Sequence, residues 1–159
     1  MNTWFSLRRF WSTAAITFFL MLSSSFPLTG LASENGYAQG TVITPNSTRI
    51  SIQIADTDEK RALGLGQRDF LKPGWGMLFI FNKKEPHGFW MKDMRFPIDI
   101  VWLDNYRIVH IESSVPAPTP GSRLPIYKPD KSANFVLELN AGEAQRLGLQ
   151  MGQTLQYQW

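Results

Sequence analysis

The stretch FWMKDMRFPIDIVWLD, residues 89–104, is almost wholly apolar and aromatic, yet it carries Lys92, Asp93, Arg95 and Asp99. Its second half decides the fold. Successive side chains of a strand point to opposite faces. Ile98, Ile100 and Trp102 therefore share one face, and Asp99, Val101 and Leu103 the other. Asp99 sits among apolar neighbours and is expected to be at least partly desolvated. An isolated buried carboxylate is too costly to stay ionised without a cation or several donors. Lys92, Arg95 and Arg68 are the candidate partners. Lys92 is preferred, because Pro97 interrupts regular pairing and can bend the chain back towards the strand.

Working outward, RIVHIES at 107–113 follows the Asp104-Asn105 turn and reads as the hairpin partner of this strand. Upstream, TRISIQIAD (48–56) alternates Ile50, Ile52 and Ile54 with polar residues, the period of a half-buried strand. GWGMLFIFN (74–82), ANFVLELN (133–140) and QTLQYQW (153–159) add three more strands. Asp56 with Glu59 resembles a capping box before EKRALGL, a short helix ending at Gly64 or Gly66. A second short helix spans residues 141–147 and stops at Gly148. The expected class is α+β and mainly antiparallel: a small curled sheet or barrel with two short helices. A parallel βαβ sheet would need longer crossovers than this spacing offers.

The chain has 159 residues, enough for one domain once a targeting segment is set aside. Arg8 and Arg9 precede an uncharged apolar run, residues 10–22, followed by small and polar residues. That is the order of a secretory signal peptide, and the run is short for a membrane span of roughly 20 residues. Gly30 and Ala32 fit a small-x-small cleavage site. Residues 1–32 are thus expected to be a signal peptide, with an uncleaved anchor as the alternative. Residues 33–40 read as a flexible lead-in, and 41–159 as one globular β-rich domain in the periplasm or outside the cell. Without Arg8 and Arg9, 14 Lys plus Arg face 13 Asp plus Glu. A near-neutral domain has no electrostatic reason to bind nucleic acid or, after leader cleavage, a membrane. Cysteine is absent, which removes disulfides and Cys-based metal sites. His87 and His110 lie in no ligand spacing, so neither a metal nor a cofactor is expected.

Residues 114–133, with Pro116, Pro118, Pro120, Pro125 and Pro129, lack periodicity. A loop this long in a compact domain is usually functional or disordered. Here it reads either as an extended segment wrapping the sheet and roofing a pocket, or as a passive crossing of the surface.

RALGLGQRDFL (61–71), GMLFIF (76–81), residues 89–104 and VLELNAGEAQRLGLQMGQTL (136–155) together resemble domain-of-unknown-function family 192, small and often exported prokaryotic proteins. The resemblance covers most of residues 50–157. It implies a fold and export, and carries no established activity. The family pattern has Asn where this chain has Asp93, and a Pro-rich segment ahead of a Tyr, matched here by Tyr127.

These residues compose a candidate ligand site: Trp90, Lys92 and Asp99, with Arg68 and Tyr127 near its rim. A Lys–Asp pair in an aromatic wall suits a small polar or saccharide-like ligand of the cell envelope. The alternative for the same pair is an internal ion pair that sets strand register. Trp102 is expected in the core. Trp75, between two glycines, is expected to be exposed enough to stack on a sugar. Two other functions compete. One is a hydrolase of envelope polymers with Asp93 or Asp99 as acid or base. The other is a protein-interaction module using a sheet edge and the proline-rich segment.

Overall fold

A computed structural model describes residues 36–159. The expected leader and residues 33–35 lie outside the described residues. The elements run β1 (Ala38–Ile43), β2 (Arg49–Ala55), α1 (Asp58–Leu63), β3 (Trp75–Glu85), β4 (Ile98–Asp104), β5 (Arg107–Val115), β6 (Ala133–Asn140), α2 (Glu143–Arg146) and β7 (Gln156–Gln158). They form one seven-stranded sheet in the order β5-β4-β6-β3-β2-β1-β7. Its ends approach each other. Ile108 N–H donates to the Gln153 carbonyl at 2.9 Å and Leu155 N–H to the Tyr106 carbonyl at 2.8 Å, linking β5 to the run into β7. The result is a curled half-barrel with two short helices, the α+β class expected.

Two details depart from expectation. β2 and β3 are parallel, joined by a right-sized crossover through α1 and residues 64–74. A short helix plus a loop is enough to return the chain, so the expectation that this spacing offers no parallel crossover fails at this pair, while the other pairings are antiparallel. β1 also begins at Ala38, with Tyr37 buried, so ordered structure reaches into the residues read as a lead-in. In AQGTVI only Thr41, Val42 and Ile43 favour a strand; pairing with β2 on one side and β7 on the other fixes it as one. Gly40 is required there, since a Cβ would lie 2.8 Å from the Gln158 carbonyl oxygen.

The helix caps follow local chemistry. Thr57, rather than Asp56, caps α1: its hydroxyl accepts from Lys60 N–H at 3.3 Å. Asp56 instead pairs with the Lys60 ammonium at 2.8 Å.

Both faces of the sheet are buried, as the pattern of β4 requires. Ile98, Ile100 and Trp102 join Met77, Phe79 and Val136 in one apolar cluster. Val101 and Leu103 join Leu78, Leu137 and Leu139 in the other, which α2 covers with Ala144 and Leu147. The first face is covered by Leu65, Leu71, Met91 and Met94 from the connections on either side of β3. Trp102 is fully buried, and its indole N–H donates to the His87 carbonyl at 2.9 Å.

Candidate functional site

The five residues predicted for the site do not form one group. Asp99 is fully buried and its carboxylate accepts three backbone N–H groups. Oδ1 takes Ser114 at 2.7 Å and Gly142 at 3.1 Å, and Oδ2 takes Ala144 at 2.8 Å. The Ser114 contact belongs to a β-bulge. Ile98 pairs with Val115 and Ile100 with Glu112, so two residues of β5 oppose Asp99. Ser114 has φ 54°, and its N–H leaves the ladder and finds the carboxylate instead. The other two contacts belong to the start of α2, whose N-cap, Gly142, offers no side chain. Asp99 therefore does the work of a missing cap and pins a bulge, a helix and a strand together. The expectation of a Lys92–Asp99 pair is corrected on this ground. Donors satisfy the buried acid, and they are backbone amides rather than an ammonium. Asp99 also lines neither of the two openings described below.

Lys92 lies elsewhere, exposed, with its ammonium 5.7 Å from the centre of the Trp90 ring. Trp90 is 53% exposed. Its position follows from Phe89, which turns inward and meets Phe79 and Trp102 edge-on at 5.0 and 5.9 Å. The next side chain must point out. Tyr127 fixes this segment through its backbone: Phe89 and Tyr127 exchange both N–H···O bonds at 2.8 Å. The crossing is tight, since a Cβ on Gly88 would lie 2.7 Å from Ile126 Cγ2. Asp93 adopts φ 58°, a left-handed turn position that Asn and Asp tolerate. Arg68 is half-buried. Its guanidinium donates to Gln53 Oε1 at 2.7 Å and lies 5.5 Å from the Tyr37 ring centre. Trp75 is half-buried beneath the Lys72 ammonium.

The structure brings Trp90 and Lys92 together with a residue that the sequence reading passed over. A cleft of ≈ 320 Å³ opens between α1 with its following turn and residues 88–94. Phe79, Phe81 and Phe89 wall it, Arg61, Trp90 and Lys92 rim it, and Glu138 lies at its floor. Glu138 sits in the middle of the sheet, in register with Met77 on one side and Ile100 on the other. It is 5% exposed, and its Oε2 has no hydrogen-bond partner. Burial pushes its carboxyl up to about 8, and the nearby Arg68 charge only partly opposes this. At neutral pH Glu138 is thus a neutral acid, one donor and one acceptor, in an aromatic pocket. The signal was present in VLELN, where a carboxylate interrupts an apolar strand as Asp99 does.

A second opening, ≈ 620 Å³, lies on the other side of Trp90 and Lys92, against Pro118–Leu124 of the proline-rich segment. His87 stacks on Phe81 with ring centres 3.7 Å apart. Among the described residues, no cluster of three or more His, Cys, Asp or Glu is arranged to hold a metal.

The family model for DUF192, described as an uncharacterised ACR, matches residues 41–157, and the chain belongs to this family. The fold is similar to a crystallised protein of Sinorhizobium meliloti 1021, provisionally described as a transcription regulator. That pair has 30% identity and TM-score 0.68, covering 79% of this chain and 98% of the other. It is also similar to a protein of unknown function from Novosphingobium aromaticivorans DSM 12444. Here identity is 27% and TM-score 0.64, over 76% of this chain and 84% of that one. No curated protein matches the chain.

Proposed function

We propose that this member of DUF192 is an exported, non-enzymatic binding domain that holds a small polar, saccharide-like ligand in the Glu138 cleft. Ligand pockets are mostly apolar, about 300–1,000 Å³, with a few fixed polar groups. The cleft, at ≈ 320 Å³, has that composition. The observation carrying the proposal is Glu138: a buried carboxyl with an unpartnered oxygen, on a residue that lines the cleft. Such a group costs stability unless a visiting molecule completes its hydrogen bonds. Perturbed acids in clefts mark functional positions more often than chance. Trp90, exposed at the rim, offers a ring face for a sugar.

The binding test is a nuclear magnetic resonance titration with glucose and N-acetylglucosamine. Shifts are expected at the Trp90 indole and at Phe79 and Phe89, and Trp90→Ala is expected to weaken binding at least fivefold. Absence of any shift at these residues with either sugar sinks the cleft reading. Export rests on the order of residues 8–32. N-terminal sequencing of the protein from expressing cells is expected to start near residue 33. A cytoplasmic protein retaining Met1 contradicts it.

The near-neutral charge of the domain favours a small ligand over DNA, whatever the description of the S. meliloti relative.

A further inference from the structure

The cleft and the opening beside it share one wall. Trp90 and Lys92 line both. The segment forming the far side of the second opening, Pro118–Leu124, also leads directly into Tyr127, whose backbone clamps Phe89. One structural device therefore builds the second opening and holds the tryptophan between the two. Its turn is internally fixed: Ser122 N–H donates to the Thr119 carbonyl at 3.0 Å, and Gly121 has φ +79°.

The polar groups along this path suit a chain of hydroxylated units. The Lys92 ammonium contacts a ring, and no carboxylate pairs with it among the described residues. Asp93, Thr119 and Ser122 border the second opening. A donor and acceptors thus lie beside an exposed indole, as sugar hydroxyls require. At the cleft floor the demand is narrower. A neutral carboxyl presents one O–H that can donate to the C=O of an acetamido group, whose trans N–H points the other way. Its methyl would rest against the phenylalanine wall.

Resting on the cleft reading above, we infer that the ligand is an acetamido-sugar oligomer of two or more units. Its acetamido group meets Glu138, and the next unit crosses Trp90 into the opening under Pro118–Leu124. A single sugar fills the cleft alone. A second unit adds contact with Trp90 and the proline-rich wall at little further loss of freedom, because it is already tethered.

The experiment is calorimetric titration of the full domain with N-acetylglucosamine, its β-1,4-linked dimer, and cellobiose, at pH 7. The dimer is expected to bind at least tenfold tighter than the monomer and tenfold tighter than cellobiose. Ser122→Arg, which fills the second opening from an exposed position, is expected to bring the dimer down to the monomer's affinity. Glu138→Gln keeps a donor and an acceptor and is expected to retain the acetamido preference. Glu138→Leu is expected to lose it. Equal affinity for monomer and dimer overturns the two-unit assignment and leaves the cleft reading standing. Equal affinity for cellobiose and the acetylated dimer overturns the acetamido assignment. If no sugar binds, both readings fall together.

Discussion

Asp99→Ala is expected to lower the unfolding free energy by about 3–5 kcal/mol, measured by urea denaturation at pH 7. Three N–H groups, of Ser114, Gly142 and Ala144, lose their acceptor at once. Each unsatisfied buried amide costs about 1–3 kcal/mol, and some relief follows as water enters or the bulge relaxes. Asp99→Asn separates the contacts. Its carbonyl oxygen can serve Ser114 and Gly142, but its amide N–H₂ would then face the Ala144 N–H. An intermediate loss, about 2–3 kcal/mol, is expected. The two contacts on α2 should loosen that helix first, so amide exchange at Ala144 and Leu147 should speed up more than at Trp102. A loss below about 1 kcal/mol for Asp99→Ala would mean that the bulge and α2 do not depend on this carboxylate.

Glu138 is expected to make stability fall as pH rises, the reverse of the usual carboxylate. The unfolded side chain titrates near 4.5 and the folded one near 8. Below the first value both states hold the proton and the contribution is constant. Between the two, the unfolded chain releases a proton that the native protein keeps, so raising the pH favours unfolding. Above the folded value both states are ionised and the loss is complete. One unit is worth about 1.4 kcal/mol, and for a buried group the total is on the order of 3–5 kcal/mol. Glu138→Gln has no proton to lose. Its stability relative to the native sequence is expected to be within about 1 kcal/mol at pH 5, and to gain about 2–4 kcal/mol by pH 8.5. A difference that stays flat across this range contradicts a buried, unpaired carboxyl at this position. The same titration should weaken ligand binding above pH 8, because the ionised acid no longer donates.

Much of the fold was legible because its strands are simple in pattern. β4 read as a buried strand from its nearly continuous apolar run, and its two faces went to two separate apolar clusters. Ile50, Ile52 and Ile54 placed β2 equally directly. β1 was not legible. AQGTVI carries no periodicity, and only its neighbours in space make it a strand. The parallel β2–β3 pair was missed for a related reason: α1 is shorter than the crossover helices on which the expectation was based.

The site was legible in part, and the reason is chemical. Sequence alone showed that Asp99 needed partners, and that was right. It could not show that the partners would be amides, because backbone donors have no letter in the sequence. The search for a charge turned to Lys92, whose ammonium in fact lies over Trp90. Glu138 posed the same question in VLELN and received no such donors. Two carboxylates in two buried strands therefore have opposite fates. Three amides fix the first as structure. The second keeps a buried, unpartnered oxygen on a residue that lines the cleft.

The most direct measurement is a carbon-13 titration of the Glu138 side-chain carboxyl in the unliganded domain. A midpoint near 8 is predicted, with the carboxyl neutral at pH 6.5. A midpoint near the ordinary 4.5 would show a hydrated or paired carboxylate, and the cleft would lose the group on which its chemistry depends.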